Sequence, residues 1–220
     1  IALELERLAS HTGDLGALAG DVGFLPTSSF CGRIRGEWLN LSAEVCGSRL
    51  GRDWMRPGGV RMEIEPQRAR LLLERLGPIW RDTQDAVELI WGAASVLNRF
   101  DACGKVDPVQ AREIGLVGVP ARACGIELDV RRDHPFGPYG EHPVKPSLAR
   151  SGNVRSRAWV RWAEQQESVR FLQERLEALA DDVADDTGDD GDTPLSTTVK
   201  TAMAKAIVEG FTAFYRTNYP

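Results

Sequence analysis

Glu4-Leu5-Glu6-Arg7-Leu8-Ala9-Ser10-His11-Thr12-Gly13-Asp14-Leu15-Gly16-Ala17-Leu18-Ala19-Gly20-Asp21 is the stretch that decides the fold. Leu5, Leu8, Leu15 and Leu18 recur at helical spacing, with polar Glu4, Glu6 and Arg7 between them. Residues 1–19 therefore read as an amphipathic helix. Gly13, Gly16 and Gly20 are costly there, each by up to ~1 kcal/mol relative to alanine. Their use is to let a neighbouring backbone come close, so this helix is expected to pack tightly against a partner helix.

Working outward, residues 30–50 read as a second helix, with Ile34, Trp38, Leu41 and Val45 on one face. A turn at Pro26, Thr27 and the serines precedes it, and Gly51 stops it. Residues 53–64 form a shaped loop around Arg56-Pro57-Gly58-Gly59-Val60, where proline fixes one dihedral and glycine permits positive φ. Glu65-Pro66 opens a third helix towards residue 102, with Gly77-Pro78 as its point of interruption. Ile79, Val87, Ile90, Trp91 and Leu97 give it an apolar stripe. Asp107-Pro108 caps a short helix to about residue 114. Residues 127–150 hold Pro135, Pro138, Pro143 and Pro146, an irregular stretch long enough to suggest function or a bound partner. Residues 153–179 are the clearest helix, with Val154, Ala158, Trp162, Val169, Leu172 and Leu176 along one face. Residues 195–219 read as a short helix rich in aromatics at Phe211, Phe214 and Tyr215. Four long helices with little strand signal fit a mainly α, antiparallel helical bundle with irregular insertions. The organisation expected is a helical core at 1–180, an acidic linker at 181–194 and a C-terminal segment at 195–220.

The chain has 220 residues and 42% hydrophobic residues. Size scaling lets a chain of this length bury about 70% of its surface without staples. Four cysteines exclude a disulfide scaffold. No apolar run approaches the ~20 residues of a membrane span, so no direct span is expected. The start at Ile1, Glu4, Glu6 and Arg7 is not a signal peptide, and its lack of methionine suggests a piece of a longer protein. Seven aspartates crowd between Asp181 and Asp192, and the net charge of −5 becomes +2 once they are set aside. That balance lacks the basic stripe of a nucleic-acid surface. The remainder is rich in arginine, 23 against 4 lysines.

Cys31, Cys46, Cys103 and Cys124 are separated by 15, 57 and 21 residues and form no Cys-x-x-Cys pair. His11, His134 and His142 stand apart. A four-ligand metal site is therefore not expected, and buried, inert cysteines are. His11 and Asp21 project about 80° apart and roughly 15 Å along one helix, so they line one cavity only if the glycines kink it or another segment intervenes. No phosphate loop and no Gly-x-Ser-x-Gly elbow occur. The residues alone give a helical domain without a self-contained catalytic site.

The stretch from Glu4 to Phe24 resembles "ELERIANHxGDLGALxxDxGF" of the large subunit of formate hydrogenlyase. That subunit is a membrane-linked, energy-converting [NiFe]-hydrogenase, related to the 49-kDa family of respiratory complex I. Met55-Arg56-Pro57-Gly58-Gly59-Val60 resembles the complex I loop. Ala121-Arg122-Ala123-Cys124-Gly125, Asp129-Val130-Arg131 and His134-Pro135-Phe136-Gly137-Pro138-Tyr139 resemble the hydrogenlyase pattern "ARACGxxxDxRxxHPFGxY". Val160-Arg161, Glu164 and Ser168-Val169-Arg170 resemble the family's long helix. Beyond about residue 190 the likeness fades.

The resemblance implies a helical bundle with small β elements, in an electron-transfer oxidoreductase subunit. Full-length members hold a [NiFe] centre on two Cys-x-x-Cys pairs, or receive a quinone headgroup in the same cavity, as NADH:quinone oxidoreductases do. Neither pair is present here, so the resemblance implies no cofactor and no catalysis for these residues alone. It places His11, Asp21, Arg56, Arg122 and His134 along the family's cavity, and further implies that Asp21 and Arg56 share one cavity. The implied partners are an iron–sulfur small subunit and membrane subunits, on the inner face of the cytoplasmic membrane. A metal-free structural descendant is the competing expectation.

Overall fold

The computed structural model describes residues 1–57 and 59–181. Helix α1 spans Ala2–Asp21, α2 Leu25–Cys46, α3 Pro66–Gly92 and α8 Val154–Asp181. Short helices α4 (Ala94–Asp101), α5 (Pro108–Glu113), α6 (Gly118–Ala123) and α7 (Val130–Asp133) connect α3 to α8. Strands β1 (Met55–Arg56) and β2 (Gly59–Val60) pair antiparallel, Met55 opposite Val60.

Side-chain contacts fix the directions of the four long helices. Gly20 of α1 faces Ser28 of α2, Gly16 faces Cys31, and Gly13 faces Arg35, which is an antiparallel register. Thr27 donates to the Ala86 carbonyl at 2.8 Å and Arg33 pairs with Asp82, so α3 reverses against α2. Asp14 meets Arg161 and Thr12 meets Gln165, so α8 runs against α1. The result is an up-down-up-down bundle. One core lies between Leu8, Trp38, Leu41, Leu76 and Leu172, and a second between Leu15, Val87, Ile90 and Phe100.

The helical bundle with small β elements is as expected, and several boundaries differ. Pro26, Thr27 and the serines are the first turn of α2 rather than a turn before it. Proline lacks only an N–H that the first turn leaves unpaired in any case. α2 ends at Cys46, before the expected Gly51, because Gly47 takes φ of +74° at the cap. α3 runs unbroken through Pro78 and breaks at Ala93 instead. Pro78 and Glu74 are both exposed, so the carbonyl that the ring frees faces solvent rather than the core. Asp107 caps α5 as expected, accepting from Val109 N and Gln110 N. Asp181 is the last described residue of α8, and the remainder of the expected linker and the C-terminal segment, 182–220, lie outside the described residues. No helix among the described residues is long and apolar enough to cross a membrane.

The glycines of α1 do what their cost requires. A Cβ at Gly16 would lie 2.7 Å from the Cβ of Cys31. Alanine normally gains helix stability over glycine, by roughly 1 kcal/mol. At Gly16 overpacking reverses that sign, and Gly16→Ala is expected to cost about 1–3 kcal/mol. Gly32, in α2 with no neighbour within 4 Å of its added Cβ, provides the control. Gly32→Ala is expected to gain about 0.5–1 kcal/mol. Denaturant unfolding of the two variants checks the opposite signs.

Candidate functional site

The chemistry of the bundle is concentrated where α1 meets α8. Glu4 and Glu164 are both wholly inaccessible to solvent. On α1, residues 4, 8, 11, 12 and 15 share the inward face, which carries acid and imidazole among leucines. On α8, Glu164 and Ser168 share the face of Val160 and Phe171.

Glu164 is the hub of one half. Its Oε2 accepts from His11 Nε2 at 2.8 Å and Arg7 Nη1 at 3.3 Å, and its Oε1 accepts from Arg122 Nε at 2.6 Å. Arg122 also donates to the Leu128 carbonyl at 2.7 Å, which ties α6 to the bundle. Glu4 is the hub of the other half. It accepts from Arg131 Nη1, Tyr139 Oη and Ser168 Oγ, at 3.1, 2.5 and 2.5 Å. Arg131 is fully buried and is clamped bidentately by Asp129, at 3.0 and 2.7 Å. Arg7 lies between the hubs, 3.4 Å from Glu4 and 3.3 Å from Glu164. Three carboxylates (Glu4, Asp129 and Glu164) thus face three guanidiniums (Arg7, Arg122 and Arg131). The charge closes with His11 neutral.

The protonation states follow from that balance. Burial alone would raise the Glu164 carboxyl, but the hydrogen bond from His11 and the Arg122 guanidinium outweigh it and hold it at about 2. Burial likewise works against ionised Glu4, and Arg131 and Arg7 reverse it to a lowered value. Burial lowers His11; the hydrogen bond and charge of Glu164 oppose it, Arg7 and Arg161 add smaller lowering effects, and the net direction is down. With Glu164 ionised, Nε2 of neutral His11 must carry the proton. Its Nδ1 is then a bare acceptor, buried and without a partner among the described residues. Burial and Glu4 push the Tyr139 phenol up, so it stays a donor.

The residues expected to line one cavity separate into two groups. His11 and Arg122 meet on Glu164. Asp21, Arg56 and His134 are exposed. Asp21 ends α1, whereas Arg56 lies in the connection between the end of α2 and the start of α3. Antiparallel packing puts those at opposite ends of a helix about 30 Å long. Asp21 and Arg56 therefore share no cavity among the described residues, contrary to expectation. Arg56 instead pairs bidentately with Asp53, at 3.1 and 2.7 Å. The unbroken α1 also keeps His11 and Asp21 apart. An open cleft of about 450 Å³ lies between α1 and α2, at Ser10, Gly13, Ser28 and Arg35, and none of the five lines it.

The thiols do not fit a nickel–iron centre. Cys31 and Cys46 sit 15 residues apart on α2, about 22 Å along the helix. Cys46 donates to the Ser42 carbonyl and Cys124 to the Val106 carbonyl, and burial pushes Cys31 up to about 11. Cys103, expected to be buried, is exposed.

Comparison with known proteins settles the lineage. Residues 21–218 match the family model described as "Respiratory-chain NADH dehydrogenase, 49 Kd subunit". The chain belongs to this family. An NADH-quinone oxidoreductase subunit of Clostridium beijerinckii is 32% identical over 82% of this chain and 49% of its own. NADH-quinone oxidoreductase subunit 4 of Thermus thermophilus is 32% identical over 80% of this chain and 43% of its own. The chain thus spans about half the length of the curated relatives it matches. A chain of the membrane-bound sulfane sulfur reductase, an archaeal respiratory membrane complex, shares the fold with a TM-score of 0.69. It is 23% identical and covers 80% of this chain and 48% of that one.

Glu4, Asp129, Arg131, Tyr139, Glu164 and Ser168 lie within the stretches that carry the family likeness, yet sequence reasoning does not single them out as a site. The available signal is a charge at a helix position otherwise reserved for leucine, at Glu4 and at Glu164.

Glu164→Gln is expected to cost about 3–5 kcal/mol, because it leaves Arg122 and Arg7 short of a buried counter-charge. Arg56→Gln, on an exposed pair, is expected to stay within about 0.5 kcal/mol. Denaturant unfolding distinguishes them.

The pH dependence is expected in two windows. His11 is lowered in the folded state, so the unfolded chain takes up the proton first. Its share of stability is full above about 6.5 and falls as pH drops below that value. Glu164, held at about 2 against an ordinary 4.5, contributes stability above 4.5 that is lost as pH falls towards 2. His11→Gln keeps a donor to Glu164 and should abolish only the first window, as read from unfolding midpoints against pH.

Proposed function

We propose that this chain is the core segment of a 49-kDa-type electron-transfer subunit in a membrane-associated oxidoreductase. The observation that carries this reading is the family match over residues 21–218, which spans all of α2, α3 and α8. The partners are an iron–sulfur small subunit and membrane subunits, which hold the protein at the inner face of the cytoplasmic membrane. Quinone reduction is the finer reading, supported by relatives that are themselves NADH-quinone oxidoreductase subunits. The buried charge network fixes α1 against α8, and so fixes where Asp21 emerges at the far end of α1.

Hydrogen chemistry of the formate hydrogenlyase type is the second reading, favoured by Ala121–Gly125 and His134–Tyr139. It requires thiolate ligands other than the four cysteines of this chain. A metal-free structural module is the third.

The test is isolation of the full-length protein from its native membranes. Co-purification with iron–sulfur subunits and donor-dependent quinone reduction, diminished by Asp21→Asn in an intact complex, is the expected result. Hydrogen evolution without quinone reduction would transfer the assignment to the second reading. A protein recovered without any iron–sulfur subunit would overturn both and leave the structural module.

A further inference from the structure

The connection from α2 to α3 is exposed, yet β1 and β2 are held in one shape. Trp54 is buried in the main core, and its Nε1 donates to the Met62 carbonyl at 2.9 Å. Arg61 N donates to the Trp54 carbonyl at 2.8 Å, which extends the pairing of the two strands. Asp53 takes φ of +61°, a left-handed conformation unfavourable for a residue with a Cβ. It brings the Asp53 carboxylate to Arg56 at 2.7 Å and Arg61 at 3.0 Å, a strap across both strands.

This scaffold presents apolar side chains to water. Met55 lies opposite Val60 in the register, so the two share one face of the strand pair. Trp54, the neighbour of Met55, is turned the other way, into the core. Met55 is 76% exposed, the highest value for a large hydrophobic side chain among the described residues. Leu50 and Val60 are exposed as well. Methionine and arginine are enriched at protein interfaces, and a preformed shape lowers the cost of binding.

The surroundings are positive. Residues 49–61 contain Arg49, Arg52, Arg56 and Arg61, no lysine, and Asp53 as their one acid, a net charge of +3. All four guanidiniums are exposed. Arg68 continues this arginine face into the first turn of α3. Asp53 is committed to Arg56 and Arg61, and Arg49 and Arg52 make no ion pair among the described residues. A guanidinium is a planar fork that matches a carboxylate bidentately. A fluid anionic lipid surface would gain little from rigid strands and would repel Asp53. A folded acidic surface gains from fixed guanidiniums and can offer a pocket to Met55.

We propose that Met55 and Val60 are the apolar anchor, and Arg49 and Arg52 the charged rim, of a docking surface for an acidic patch on a neighbouring protein subunit. The inference rests on reading the chain as one subunit of a membrane-associated assembly. It adds which face meets a partner and what charge that partner carries.

A benzophenone amino acid at position 55 of the full-length protein, in its native membranes, provides the test. Irradiation of the isolated assembly is expected to join position 55 to one segment of another subunit, and that segment to carry net negative charge. The same side chain at position 109, exposed on α5, marks the background. Arg49→Glu combined with Arg52→Glu is expected to reduce the crosslink several-fold with an unchanged unfolding midpoint. Arg49→Lys combined with Arg52→Lys should retain most of it. Raising salt to about 1 M, where the Debye length is about 3 Å, should weaken the wild-type crosslink without any substitution. A crosslink to a neutral or basic segment, to lipid or to a second copy of this chain would overturn the proposal. So would an intact assembly with position 55 uncrosslinked, or a crosslink indifferent to both charge reversal and salt. A chain recovered without any other subunit would overturn the reading of the chain as a subunit, and this inference with it.

Discussion

Two carboxylates that never meet water govern this structure. Glu4 and Glu164 sit in the seam between the first and last long helices of the described chain, where an unpaired charge would be prohibitive. Each therefore recruits donors from elements that would otherwise have little reason to settle there. Arg122 brings α6, Arg131 brings α7, and Tyr139 brings the turn after it. The irregular stretch between α3 and α8 contributes few large buried apolar side chains. It is ordered because it completes a charge balance, and Asp129 is needed because Glu4 is shared between Arg131 and Arg7. Removing any one member leaves a buried charge without its partner, so the network acts as a unit.

The sequence and the structure agree where periodicity is enough. Leu5, Leu8 and Leu15 place α1, and Trp162, Leu172 and Leu176 place α8, because a buried stripe repeats every three to four residues. Agreement fails where two local signals compete. Pro26 reads equally as a turn or as a first helical turn, and Pro78 as a break or as a solvent-facing interruption. Only packing decides between them. The site is less legible still. His11 and Arg122 stand out separately in the sequence, but nothing local says that they share Glu164, 153 and 42 residues away. Resemblance puts Asp21 and Arg56 side by side, whereas antiparallel wiring sends them to opposite ends.

The two ends of the bundle consequently differ in character. At one, α1 closes at Asp21 and the chain turns tightly into α2 within three residues. At the other, nineteen residues separate α2 from α3 and carry most of an arginine face. The seam between them is neutral, dry and tightly bonded. Such a rigid middle with chemically distinct ends suits a subunit of a larger assembly, since each end can be held at a fixed distance from the other.

The order in which the chain is made adds a consequence. Ser168 leaves the ribosome 164 residues after its partner Glu4. At roughly 5–20 residues per second, that interval is on the order of ten to thirty seconds. Throughout it, α1 and α2 can already pair as a hairpin, but the acid on the inner face of α1 has Arg7 beside it and lacks the full set of donors that completes its burial. Tight closure of the bundle is thereby postponed until synthesis of α8. The buried glutamate acts as a timer against premature collapse, and the nascent helical hairpin is the species that a chaperone would encounter.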